Sequence, residues 1–162
     1  EVLHAGPEAL GILRAAPAIG SMLTAVYLAR NPILRHSGRY MISAVAGFGI
    51  SIIAFSFSET LFWSTFFLAF TGFFDAISVV VRSAVFQLTT PDQMRGRVSA
   101  INGIFVGSSN ELGALESGLT ASLMGLVPSI AFGGAVTLLV AAGTFYIAPS
   151  LRKMHLKDLI EQ

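Results

Sequence analysis

The chain has 162 residues, of which 54% are apolar and 12% charged, and its formal net charge is +1. A soluble domain carries about a quarter charged residues, so an ordinary water-soluble protein is not the expectation, and a charge this near zero gives no electrostatic reason to expect a nucleic-acid partner. The absence of Cys excludes disulfides and thiolate metal sites.

Charge is missing altogether from 41–57, 98–110 and 128–150. A helix needs about 20 apolar residues to cross a bilayer, so the length allows several crossings within one membrane domain, 1–162. In chain order, the first expected span is 9–29, after Gly6-Pro7-Glu8, and it leads into a basic loop with Arg30, Arg35 and Arg39. The second is 40–57, closed by Ser58-Glu59-Thr60; the third is 61–88, ending at Thr89-Thr90-Pro91-Asp92. Arg95-Gly96-Arg97 precedes the fourth, 98–126, and Pro128 marks the turn into the fifth, 129–148. Residues 149–162 form a tail carrying Arg152, Lys153 and Lys157.

Strands of a membrane barrel would need tracts of about ten residues alternating apolar and polar, and these tracts are longer and do not alternate. The expected fold class is all-α, a polytopic bundle of five transmembrane helices. The chain opens on Glu1 with no basic-then-apolar leader, which reads as a start partway through a larger protein. With five spans, the loop of Arg30, Arg35 and Arg39, the loop of Arg95 and Arg97, and the tail all fall on one side. The positive-inside bias makes that side cytoplasmic, so the C-terminus is expected in the cytoplasm.

Five ionisable residues fall inside the expected spans: Arg14, Asp75, Arg82, Glu111 and Glu116. Each costs about 2.5–3.5 kcal/mol at a bilayer centre, so such residues face a bundle interior or a water-filled path. At about 100° per residue, Ser64, Thr71, Asp75, Ser78, Arg82 and Thr89 share one stripe of the third span, opposite Phe66, Phe70, Phe73, Ile77, Val80 and Ala84. Asp75 is central, and Arg82 lies about 10 Å nearer the cytoplasm at 1.5 Å per residue. Asp75, Glu111 and Arg82 are the candidates for a proton-coupling or substrate path. Arg14 and Glu116 have similar depth and are candidates for a structural or gating ion pair. Small residues of the fourth span, Gly103, Gly107 and Gly113 among them, suggest close packing against protein. The second and fifth spans, free of charge, suggest a periphery facing lipid. His4, His36 and His155 fall in loops or the tail. No metal, no cofactor and no catalytic nucleophile–base pair is expected.

Three stretches resemble the C-terminal part of a major facilitator superfamily transporter, from its eighth to its twelfth helix, most closely the enterobactin-exporter-like and macrolide-efflux-like branch. They are the opening Val2-Leu3-His4-Ala5-Gly6-Pro7-Glu8-Ala9-Leu10-Gly11 with Leu13-Arg14-Ala15-Ala16-Pro17, the motif Thr90-Pro91-Asp92-Gln93-Met94-Arg95-Gly96-Arg97-Val98, and the run 102–118 with its Asn, Gly and Glu residues. Of the superfamily loop signature only the final Gly38-Arg39 is kept, so no charge-relay role carries over to that loop. The resemblance implies secondary transport with proton coupling and efflux of drugs or siderophore-like small molecules. It also implies residence in the cell's inner membrane and a missing N-terminal half of the same protein as partner. An importer of the same superfamily, or a non-transporting scaffold or receptor with a transporter-like fold, is the alternative.

Overall fold

A computed structural model describes residues 7–31, 33, 36–152 and 156. Arg35, Lys153, Lys157, His4 and His155, which entered the expectations above, lie outside the described residues. The elements are α1 (Pro7–Arg30), α2 (Ser37–Ser56), α3 (Leu61–Thr89), a 3-10 turn (Asp92–Met94), α4 (Arg95–Met124), α5 (Leu126–Ile147) and the short α6 (Pro149–Arg152).

Local chemistry sets the helix ends. α1 starts on Pro7, whose missing N–H costs nothing at a first helical position, and it carries Glu8 in its first turn and Arg30 in its last, the arrangement the helix dipole favours. The Thr60 hydroxyl accepts the Trp63 N–H at 3.4 Å and caps α3. α3 stops at an extended Thr90, because the residue before a proline is pushed out of the helical region. The α4–α5 turn is made by Gly125, with φ +88°, a conformation that side chains resist. Pro128, expected at the turn, lies inside the first turn of α5, where a proline is tolerated.

The helices pack in the order α1, α3, α2, α5, α4. α2 runs antiparallel to α3, with Gly47 against Phe74 and the Ser58 and Ser64 hydroxyls 2.7 Å apart. It also runs antiparallel to α5, where Gly49 and Gly134 meet backbone to backbone. The start of α2 and the ends of α3 and α5 therefore share one end of the bundle. Arg39, Arg95 and Arg97 sit at that end, whereas Glu59 sits at the other.

What is buried identifies the solvent. Most of the enclosed residues are small or hydroxylated, among them Ala16, Thr24, Ala44, Ser51, Ser56, Ser64, Thr71, Ser129 and Ala141, with Ile42, Ile77, Val81 and Leu156 the larger exceptions, while Ile104, Phe105, Leu115, Leu139 and Phe62 point outward. In water this arrangement would forfeit the hydrophobic effect. In lipid, helices associate through close backbone approach and hydrogen bonds. Four helices, α1, α2, α3 and α5, are long and apolar enough to cross a membrane. The protein is an all-α transmembrane bundle and a multi-pass membrane protein.

The fourth expected span is the exception. At 30 residues α4 is long enough, but Arg95, Arg97, Asn102, Glu111 and Glu116 make it more polar than its neighbours, and by composition it is not among the four. None of its residues is buried. Its glycines Gly103, Gly107, Gly113 and Gly118 have nothing within 4 Å of an added Cβ, so the close packing expected of α4 is not made within this bundle.

Tight packing occurs elsewhere. A Cβ on Gly20 would strike the carbonyl oxygen of Ala69, and one on Gly72 would strike that of Pro17. Each helix thus gives the other a glycine where the backbones touch, a geometry suited to Cα–H···O contacts. Thr24, fully buried, seals the crossing by donating its hydroxyl to the Phe73 carbonyl at 2.8 Å. Thr24→Val is expected to lower stability in detergent by about 1 kcal/mol, the usual worth of an interhelical hydrogen bond in membranes. Unchanged resistance to denaturing detergent would show that the bond adds nothing.

The expected peripheral place of the uncharged helices needs correcting for α2, which is the best enclosed of the helices, held between α3 and α5. A helix without charges suits lipid and protein equally, and Ala44, Gly49, Ser51 and Ser56 fit it for protein. Residues 149–162, expected to form a tail, begin with α6, and the Leu156 N–H returns to the Ser37 hydroxyl at 3.2 Å.

Candidate functional site

The polar stripe foreseen on α3 is divided by the structure. Ser64 and Thr71 are buried, whereas Asp75 and Arg82 are exposed. A hydroxyl can be enclosed because it finds an acceptor nearby: Thr71 donates to the Leu68 carbonyl at 2.7 Å, and Ser64 shares its bond with Ser58. A carboxylate or guanidinium has no such local remedy. The two charges therefore stay on the part of α3 that neither α1 nor α2 covers.

Beside Arg82 lies a groove of about 380 Å³ between the basic-end halves of α3 and α4. Arg82, Ser83 and Gln87 line it from α3, and Ser99 and Asn102 from α4. Val79 and Phe86 supply apolar wall, and Gly103 leaves the α4 side open. Asp75 sits one helical turn before Val79, about 6 Å deeper along the axis. One guanidinium, two amides and two hydroxyls suit a solute with an anionic or hydroxyl-rich group and some apolar surface. The sequence singled out Arg82 and noted Asn102 as polar, but Ser83, Gln87 and Ser99 were missed. The available signal was their spacing: Ser83 and Gln87 are four apart, so they share a helix face, and Ser99 and Asn102 are three apart.

Glu111 and Glu116 are exposed on α4. Arg14 is exposed on α1, a helix that packs on α3. The structure does not bring Arg14 and Glu116 together. Among the described residues the ion pair within 4 Å is Arg95–Asp92, at 3.0 Å. Arg14 and Glu116 had been matched by depth alone, but depth fixes one coordinate, and the intervening helices fix the others. The cycle of Arg14→Ala, Glu116→Ala and their double variant is expected to be additive to within about 0.5 kcal/mol. A coupling well above that would restore the pair.

The Pro91–Arg97 motif has a visible mechanical role at one residue. The Arg95 guanidinium donates to the Gln87 carbonyl at 3.1 Å and to the Thr90 carbonyl at 3.4 Å, besides its bridge to Asp92. It caps the carbonyls left open at the end of α3 and lies favourably at the negative end of that helix dipole. An exposed ion pair is worth little by itself; here the same side chain also ties the end of α3 to the start of α4, the two helices that line the groove.

A comparison with known protein families, with curated proteins and with solved structures matches none of them. The class that the fold defines is a multi-pass α-helical membrane protein. The more particular reading rests on the arrangement of its charges.

Proposed function

We propose that this chain is part of a secondary active transporter of the major facilitator type, proton-coupled, that exports drugs or siderophore-like small molecules across the inner membrane. One observation carries the reading: Asp75 and Arg82 stand exposed within α3, a helix long and apolar enough to cross a membrane, and Glu111 and Glu116 are exposed along α4, whose basic-end half faces α3 across the groove. Charges in that position are costly against lipid and are tolerated beside water or a polar cavity. Asp75 is the first choice for the proton carrier and Glu111 the second, since carboxylates bind and release protons without other chemistry. Arg82, with its amide neighbours, receives the anionic part of the solute.

The basic end of the bundle is the cytoplasmic one in this reading, by the positive-inside rule, and the C-terminus lies there. The uncovered faces of α3 and α4 form one wall of a central path, and helices from the N-terminal half of the same protein form the other. Alternating access follows from rocking of the two halves around the shared polar zone. The test is a flux assay with the full-length protein in proteoliposomes, following solute and proton movement together. Coupled flux of both supports the transporter. A protein that binds solute but moves neither solute nor protons is a receptor or scaffold.

A further inference from the structure

A second cavity, unrelated to the charged groove, lies on the far side of α2. It measures about 670 Å³ and is formed between α2 and α5 at the basic end of the bundle. Its floor is Ile42 and Ala141, both buried. Ala46, Leu138 and Ala142 continue the apolar lining, and Arg39 stands at the mouth. From Arg39 to Ala46 the groove follows α2 for about 10 Å at 1.5 Å per residue. Small side chains make it. Ala46 and Ala142 leave room that Leu or Phe would fill, and the Gly49–Gly134 contact brings the two helices together just beyond the far end.

Arg39 is the third residue of α2 and is exposed, and among the described residues its guanidinium is in no ion pair. It therefore sits where the helix enters the membrane, at the end of the bundle that also carries Arg30, Arg95 and Arg97. A cation at headgroup depth above an apolar trough matches one kind of molecule at both ends. We propose that this groove binds an anionic phospholipid, its phosphate on Arg39 and one acyl chain laid between α2 and α5. Basic pockets between helices on the cytoplasmic side are suited to acidic headgroups. A second copy of the chain would present apolar side chains to the trough and leave Arg39 unmatched; a lipid satisfies both.

The site is tested with the full-length protein in a neutral detergent, by titrating phosphatidylglycerol or phosphatidylcholine of the same acyl chains and counting bound lipids by native mass spectrometry. Phosphatidylglycerol is expected to bind about fivefold tighter, the preference one basic residue near the surface supplies. Arg39→Gln should erase that preference and Arg39→Lys should keep it, which separates lost charge from lost fold. Ala142→Phe should weaken both lipids by filling the trough. The proposal is overturned if the preference survives Arg39→Gln or if Ala142→Phe changes nothing. It is equally overturned if glycerol phosphate without chains competes as well as intact lipid, or if copies of the chain cross-link through this face.

Discussion

Replacing Gly72 with alanine is expected to lower the stability of the bundle by about 3 kcal/mol, at the upper end of overpacking costs, and to separate α1 from α3. The added methyl meets the carbonyl of Pro17, which is helix backbone and cannot rotate away as a side-chain tip could. Relief requires α1 to move outward as a body. That movement lengthens the reciprocal contact of Gly20 with Ala69 and breaks the bond from Thr24 to Phe73. Gly20→Ala should do the same from the other side. Gly113→Ala on α4 is the comparison, because nothing lies within 4 Å of its added Cβ and alanine is the better helix former by about 1 kcal/mol. The measurement is a denaturing-detergent titration of the three variants. Equal behaviour of Gly72→Ala and Gly113→Ala would mean that the α1–α3 crossing is looser than the structure has it.

Asp75→Asn is expected to abolish solute-driven proton movement in proteoliposomes while the protein still inserts and binds solute. Asparagine keeps the size and hydrogen-bonding capacity of the side chain but carries no exchangeable charge. Asp75 is exposed and contacts no cation among the described residues, so the substitution breaks no ion pair and should leave the fold intact. Ser78→Ala, nearly one turn along the same side of α3, is the neighbouring control and should retain flux. If Asp75→Asn carries protons and solute as the unaltered protein does, Asp75 is not the coupling residue and Glu111 is the next to test. Arg82→Gln is expected to weaken solute binding more than proton movement, and a solute lacking an anionic group should not feel it.

Much of the fold was legible in the sequence because lipid enforces a simple rule. Backbone N–H and C=O groups must be satisfied within the segment, so long charge-free runs had to be helices. Polar breaks such as Ser58-Glu59-Thr60 and Thr90-Pro91 had to be their ends. The end of α1 and most of α3 fell within a residue or two of expectation. The misplaced turn at Pro128 shows where the rule runs out. Gly125 and Pro128 are both turn residues by type, and only the positive φ at Gly125 distinguishes them.

The candidate site was legible residue by residue but not as an arrangement. Asp75 and Arg82 were identifiable because a charge at membrane depth is conspicuous. Ser83, Gln87 and Ser99 were not, since a lone polar residue near a helix end is unremarkable until a second helix faces it. Arg14 and Glu116 show the converse: complementary charges at one depth looked like partners, and the packing order placed them on helices that do not pack against each other.

The sequence by itself determined that this protein lives in a membrane, that it is helical, and that its positive charge gathers at one end. Those properties depend on composition and local spacing, which transfer free energy reads directly. Only the tertiary structure decided that α2 rather than α4 is the enclosed helix, that Gly20 and Gly72 rather than the glycines of α4 make the close crossing, and that Ser64 and Thr71 part company with Asp75. The physical reason is that lipid does not reward one apolar face over another. Within the bilayer, the order of helices is set by backbone contact and a few hydrogen bonds, and these exist only between segments already brought together.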